Sequence, residues 1–191
     1  TKTFFPKLKQ CVMKKSFLLL LFILFMPAIL FSQNTKRDSL WMPFKSFIGE
    51  WVGDGEGEPG KGEYERNYQL IFNKRFIEVH NKSTYPPKNE NAQGEVHEDV
   101  GYFSYDKPRK AFVLRQFHTE GFVNEYVLES ISTDGKTISF VTESIENLPV
   151  GFRARESYQL INENEFEETF EIAEPGKDFA LYTKVKFVRR K

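Results

Sequence analysis

Three histidines, His80, His97 and His118, and a small set of arginines carry the chemistry this sequence could perform. His97-Glu98-Asp99 has the composition of a metal or acid–base cluster. Successive residues of a strand face opposite sides, so His97 can share a face with Asp99 but not with Glu98. A metal site there needs a further ligand from a neighbouring strand, with His118 and Glu125 as candidates; a hydrogen-bonded pocket histidine needs none. Arg115, Gln116 and His118 lie in one run and Glu125 in the next, while Arg153, Arg155 and Glu156 form a second polar group. A buried arginine must be paired or must hold an anion. Arg115 with Arg153 or Arg155 could therefore receive a ligand carboxylate. The competing arrangement turns these arginines outward, paired across strands with Glu125 or Glu143, since charges belong on surface faces. Counting alternate residues from Phe152 gives Ala154, Glu156, Tyr158 and Leu160, an apolar face interrupted by one acid. The expected ligand-binding set is thus Arg115, His118, Arg153, Arg155, Tyr158, Glu125 and His97, with no catalytic residue and no metal site assigned.

Several chemistries are excluded. No nucleophile elbow, phosphate-binding glycine loop or zinc-helix motif is present. The alternating Gly53, Gly55 and Gly57 suit close strand packing rather than a phosphate loop. Binding is favoured over catalysis on this count, with an enzymatic use of the His97 and His118 region, or an envelope interaction domain with a filled barrel, as the alternatives.

The elements that must position these residues are strands. Leu40, Trp41, Phe44, Phe47 and Ile48 are spaced by threes and fours, which predicts one or two helical turns. Ten short runs rich in aromatic and β-branched residues follow. They are expected at Glu50–Gly55, Glu63–Phe72, Arg75–Tyr85, Val96–Tyr105 and Ala111–Thr119, then Phe122–Ile131, Thr137–Glu146, Phe152–Ile161, Glu165–Ala173 and Phe179–Val188. Asn73-Lys74, Asp106-Lys107-Pro108, Glu120-Gly121, Thr133-Asp134-Gly135 and Glu174-Pro175-Gly176 are turn formers. The stretch from Pro86 to Glu95 is a longer polar loop, expected near an opening. Ten antiparallel strands joined by tight turns remove their exposed edges by closing into an up-and-down barrel, with room for one small ligand.

The N-terminus reads as a secretory signal peptide: Lys14-Lys15, an apolar run from Phe17 to Phe31 interrupted by Pro27, and a return to polar residues at Ser32. Fifteen residues fall short of the roughly 20 needed to span a bilayer, so no stable membrane span is expected in the mature chain. Residues 1–33 divide into an upstream extension, a start at Met13 and the signal peptide; residues 34–191 form a single barrel domain. Export to the periplasm or beyond follows. The one cysteine, Cys11, precedes the run, which rules out disulfides and thiolate metal sites in the mature domain. Of 27 basic and 27 acidic residues, five lysines and no acids precede Gln33, leaving 22 against 27 and a net charge of −5. That balance argues against nucleic acid as a partner.

The opening Phe47-Ile48-Gly49-Glu50-Trp51-Val52-Gly53-Asp54-Gly55-Glu56-Gly57 resembles that of calycin-superfamily, lipocalin-like barrels, whose G-x-W pattern begins the first strand and whose tryptophan plugs one end. This implies a structural role for Trp51. With His97-Glu98-Asp99-Val100-Gly101-Tyr102, the opening is similar to nitrobindin, other haem-binding-like barrels and related small bacterial barrels. The resemblance implies ten strands, a shape related to fatty-acid-binding proteins and a lipophilic or carboxylate-bearing small molecule as partner. Nitrobindin also implies a ferric haem held by a histidine close to the C-terminus. Glu165 to Lys191 contain no histidine, and Tyr182 is the conventional alternative ligand in the final strand. The cofactor is left open, with haem as one possibility.

Overall fold

The computed structural model describes residues 38–88 and 92–191; the expected extension and signal peptide lie outside the described residues. The chain divides after Met42. In the first part, residues 38–40 make a helical turn. The second part, Pro43–Lys191, is a closed barrel of ten antiparallel strands in chain order, β1 pairing with both β2 and β10. The strands are β1 Gly49–Gly57, β2 Gly62–Ile71, β3 Phe76–Tyr85, β4 Glu95–Asp106 and β5 Ala111–His118. They continue as β6 Val123–Ile131, β7 Thr137–Glu146, β8 Arg153–Asn162, β9 Glu165–Ala173 and β10 Ala180–Arg189. The expected helical lead-in is a 3-10 helix over Met42–Phe47. Among the described residues, no helix is long and apolar enough to cross a membrane.

The strand ends follow their turn chemistry. The expected two-residue hairpin at Asn73-Lys74 takes in Phe72 as well: φ is 48° at Phe72, 57° at Asn73 and 58° at Lys74. The Arg75 amide closes this turn on the Ile71 carbonyl at 3.1 Å. Phe72 therefore leaves the strand and stands largely exposed.

One end of the barrel is sealed by aromatic rings. Phe47 meets Phe166 edge-on at 5.2 Å, Trp51 meets Phe166 at 4.8 Å, and Phe166 stacks on Phe187 at 4.8 Å. Trp51 is fully buried, and its Nε1 donates to the Phe47 carbonyl at 2.7 Å. The Arg189 guanidinium lies 4.1 Å from the Trp51 ring centre and donates to the carbonyls of Ile48 and Ser46 at 2.8 and 2.7 Å. The glycines of β1 make room beside Trp51: a Cβ at Gly53 would stand 2.9 Å from the Phe187 ring, and one at Gly55 2.8 Å from the Tyr64 ring.

Candidate functional site

The opposite end of the barrel encloses a cavity of about 280 Å³. Pro59 after β1, Phe122 after β5 and Leu148 and Phe152 after β7 stand at its opening. Alternation places its wall. On β4, His97 and Asp99 face inward; on β5, Gln116 and His118; on β8, Ala154 and Glu156; on β9, Glu168, Phe170 and Ile172.

The deep part of the cavity is polar. Arg66 of β2 and Glu168 of β9 form a two-pronged ion pair, with Nη2 to Oε1 at 2.6 Å and Nε to Oε2 at 3.2 Å. The Arg66 Nη1 donates to the carbonyls of Glu65 and Lys82 at 3.0 and 3.4 Å, so this guanidinium is fully committed. Burial costs Arg66 charge, but the Glu168 carboxylate beside it more than compensates and keeps it charged. Asp99 accepts from Asn81 Nδ2 at 2.7 Å and stands 3.9 Å from His118 Nδ1. Burial raises the Asp99 carboxyl above its ordinary value despite its neighbours His118 and Arg66. Glu156 is pushed up to about 7 by burial first and by the nearby charge of Glu168 second. Tyr158 donates its hydroxyl to Glu156, and Gln116 and Tyr126 also contact that carboxyl.

The wall toward the mouth is mainly apolar, with charged side chains on the rim itself. Phe122, Ile145, Leu148, Phe152, Phe170 and Ile172 ring the entrance, with Tyr64 and Tyr85 joined hydroxyl to hydroxyl at 2.9 Å on one side. His97 stands at this rim between Glu95, at 2.9 Å, and Glu120. Partial burial raises the Glu120 carboxyl, but the bond to His97, a backbone hydrogen bond and the nearby histidines together outweigh it and hold the group below the usual range. His118 lies deeper, its Nε2 accepting from Asn124 Nδ2 at 3.2 Å.

The residues singled out in the sequence divide three ways. His118 and His97 line the cavity, and Tyr158 sits below it in the core. Arg115 and Glu125 lie on the outer surface, paired with each other at 2.9 Å, the competing arrangement weighed for them. Arg155 is also outward, between Glu129 at 3.0 Å and Glu171 at 3.6 Å. Arg153 is at the rim, donating to the Lys177 carbonyl at 2.8 Å and lying 4.8 Å from the Phe179 ring centre. The expectation that Arg115 and Arg155 would receive a ligand carboxylate is corrected by strand parity. On β8, Glu156 and Tyr158 face in, so Arg155 faces out, while Arg153 at the start of the strand reaches only the rim of the cavity. A metal cluster at His97 and Asp99 is not formed: among the described residues, no group of three His, Cys, Asp or Glu side chains could hold an ion.

Sequence reasoning missed Arg66, Asn81, Asn124 and Glu168 and left Glu156 out of the site. The available signal was a lone polar residue inside an aromatic or apolar alternating row. Tyr64-Arg66-Tyr68 and Phe166-Glu168-Phe170 are such rows, and Glu156 interrupts the one identified from Phe152.

Residues 41–189 match the THAP4-like, heme-binding beta-barrel domain. Among solved structures, Rv2717c from M. tuberculosis superposes with a TM-score of 0.61 at 18% identity, over 79% of this chain and 97% of that one. A redesigned beta barrel gives a TM-score of 0.40 at 9% identity, over 77% of this chain and 94% of the other. A de novo fluorescence-activating beta barrel gives 0.37 at 14%, over 76% and 95%. No curated protein matches the sequence.

Proposed function

The chain belongs to the THAP4-like, heme-binding beta-barrel domain family, and on that footing we propose that it is an exported carrier holding a lipophilic small molecule in the end cavity of its barrel. The observation that carries the reading is the layering of that cavity, a mainly apolar mouth above a polar floor. Ligand sites are typically apolar pockets with a few convergent polar groups, and their volumes start near ~300 Å³. At about 280 Å³ the cavity lies just below that range.

The test is titration with Nile red, a neutral dye that brightens in apolar surroundings. Saturable binding at one dye per protein is expected, with loss on Ile172→Trp, which fills the mouth. Absence of saturable binding to the parent protein would sink the proposal. Export rests on the Phe17 to Phe31 run, and N-terminal sequencing of protein recovered outside the cytoplasm should begin near Ser32 or Gln33.

Haem is the ligand named by the family, but the side chains present do not fit its iron. The Nε2 of His118 is occupied by Asn124, and both ring nitrogens of His97 face carboxylates. His80 is exposed and directed at Glu78 at 3.3 Å. Burial raises the Tyr182 phenol, and Tyr85, Glu95, Glu58 and Glu120 raise it further, so it stays protonated and a poor ligand. Haemin titration is expected to give no Soret band that depends on His118 or Tyr182.

A further inference from the structure

We propose that the head group recognised in the floor of the cavity is a hydrogen-bond donor carrying positive charge, a protonated amine or amidine on an apolar body. This rests on the reading that the end cavity is the binding site, and it reverses the carboxylate expected from the sequence.

Two independent observations meet there. The first is the charge of the wall. Asp99 from β4, Glu156 from β8 and Glu168 from β9 face Arg66 from β2, whose every nitrogen already has a partner. At the rim, Glu120 and His97 oppose Arg153, which is held by Phe179 and the Lys177 carbonyl. In the floor, an entering carboxylate would meet Asp99, Glu156 and Glu168 and an arginine already paired.

The second observation is a set of acceptors without donors. The Oε1 of Gln116, the Oδ1 of Asn124 and the Oδ1 of Asn81 are buried and have no hydrogen-bond partner. Gln116 is 2% exposed and Asn124 6%, and all three side chains belong to the cavity wall. Buried polar atoms are normally satisfied, and a buried acceptor left unpaired is costly. A head group with several N–H donors answers both features, because it supplies donors to the amide oxygens and charge to the carboxyls. An aliphatic tail would then lie along Phe122, Ile145 and Phe170.

One consequence separates an amine from any neutral occupant. Glu156, raised by burial and Glu168, holds a proton at mildly acid pH, and a cation beside it expels that proton. Asp99, itself raised by burial, also acts on this carboxyl by its charge, and Tyr158, Tyr126 and Gln116 touch it.

The experiment is calorimetric titration of the folded protein with octylamine, octanoate and octanol at about pH 6, in buffers of different ionisation enthalpy. Octylamine is expected to bind at least about tenfold more tightly than octanoate, in keeping with charge-assisted hydrogen bonds. Its binding should release a fraction of a proton. Glu156→Gln, with native circular dichroism, should abolish the proton release and narrow the preference; Asp99→Asn, also near-isosteric, should narrow it without abolishing the release. Octanoate or octanol binding as tightly as octylamine overturns the head-group assignment, as does failure of all three while Nile red still binds. Either result leaves the cavity reading intact. Failure of Nile red as well overturns both.

Discussion

The two ends of the barrel interior are built from the same ten strands, yet one is filled with rings and the other with ionisable groups. At the sealed end, Phe47, Trp51, Phe166 and Phe187 make edge and stacked contacts, and Arg189 satisfies backbone carbonyls. At the open end, the same inward rows carry Arg66, Glu156 and Glu168, and three buried amide oxygens have no donor. Rings lose nothing by leaving water, whereas each buried charge must recover its hydration from a partner. The sealed end therefore supplies stability, and the open end gives some of it up to hold a polar site.

The largest expected effects test that division directly. Phe166→Ala should cost about 3–5 kcal/mol by urea denaturation, since it leaves a cavity among fully buried rings. Arg66→Met should cost a similar ~3–5 kcal/mol, because it strands the buried Glu168 carboxylate. The contrast appears in the double change. Arg66→Met with Glu168→Leu should recover most of that loss, whereas no second substitution near Phe166 restores the ring packing. A double variant as unstable as the single one would show that the open end also contributes stability.

A smaller effect is expected with pH. Glu156 has its folded pKa raised to about 7, above the ordinary glutamate value. Its contribution is fully present below that ordinary value and is lost as pH rises through about 7. Wild-type protein should therefore lose stability between mildly acid and mildly alkaline pH, by up to a few kcal/mol from this group. Glu156→Gln should flatten the profile over that window, as read by thermal unfolding across pH. An unchanged slope would mean that the carboxyl is not held protonated.

The smallest effect belongs to the outer surface, where Arg115 pairs with Glu125 in view of solvent. Arg115→Ala should change stability by less than about 1 kcal/mol and leave dye binding untouched. A loss of binding would bring the outer face into the site.

Much of this architecture was legible from the residues in order. Turn formers such as Thr133-Asp134-Gly135 and Glu174-Pro175-Gly176 mark the hairpins, and the Gly49 to Gly57 pattern marks the first strand and its buried tryptophan. Strand parity was legible too, as in the row through Ala154, Glu156 and Tyr158. It already set Arg155 on the opposite face from Tyr158, so these could not both line one cavity.

The composition of the site was not legible in this way. Arg66 and Glu168 are 102 residues apart and come together because β2 and β9 lie on either side of β1 and β10 in the closed sheet. Whether an inward row becomes plug or cavity depends on which end of the barrel it reaches and on what stands opposite. Local sequence determines turns, alternation and the face each side chain takes, because these follow from backbone geometry over a few residues. Closure of the sheet decided which charges meet, because that pairing is set by the curvature and register of all ten strands together.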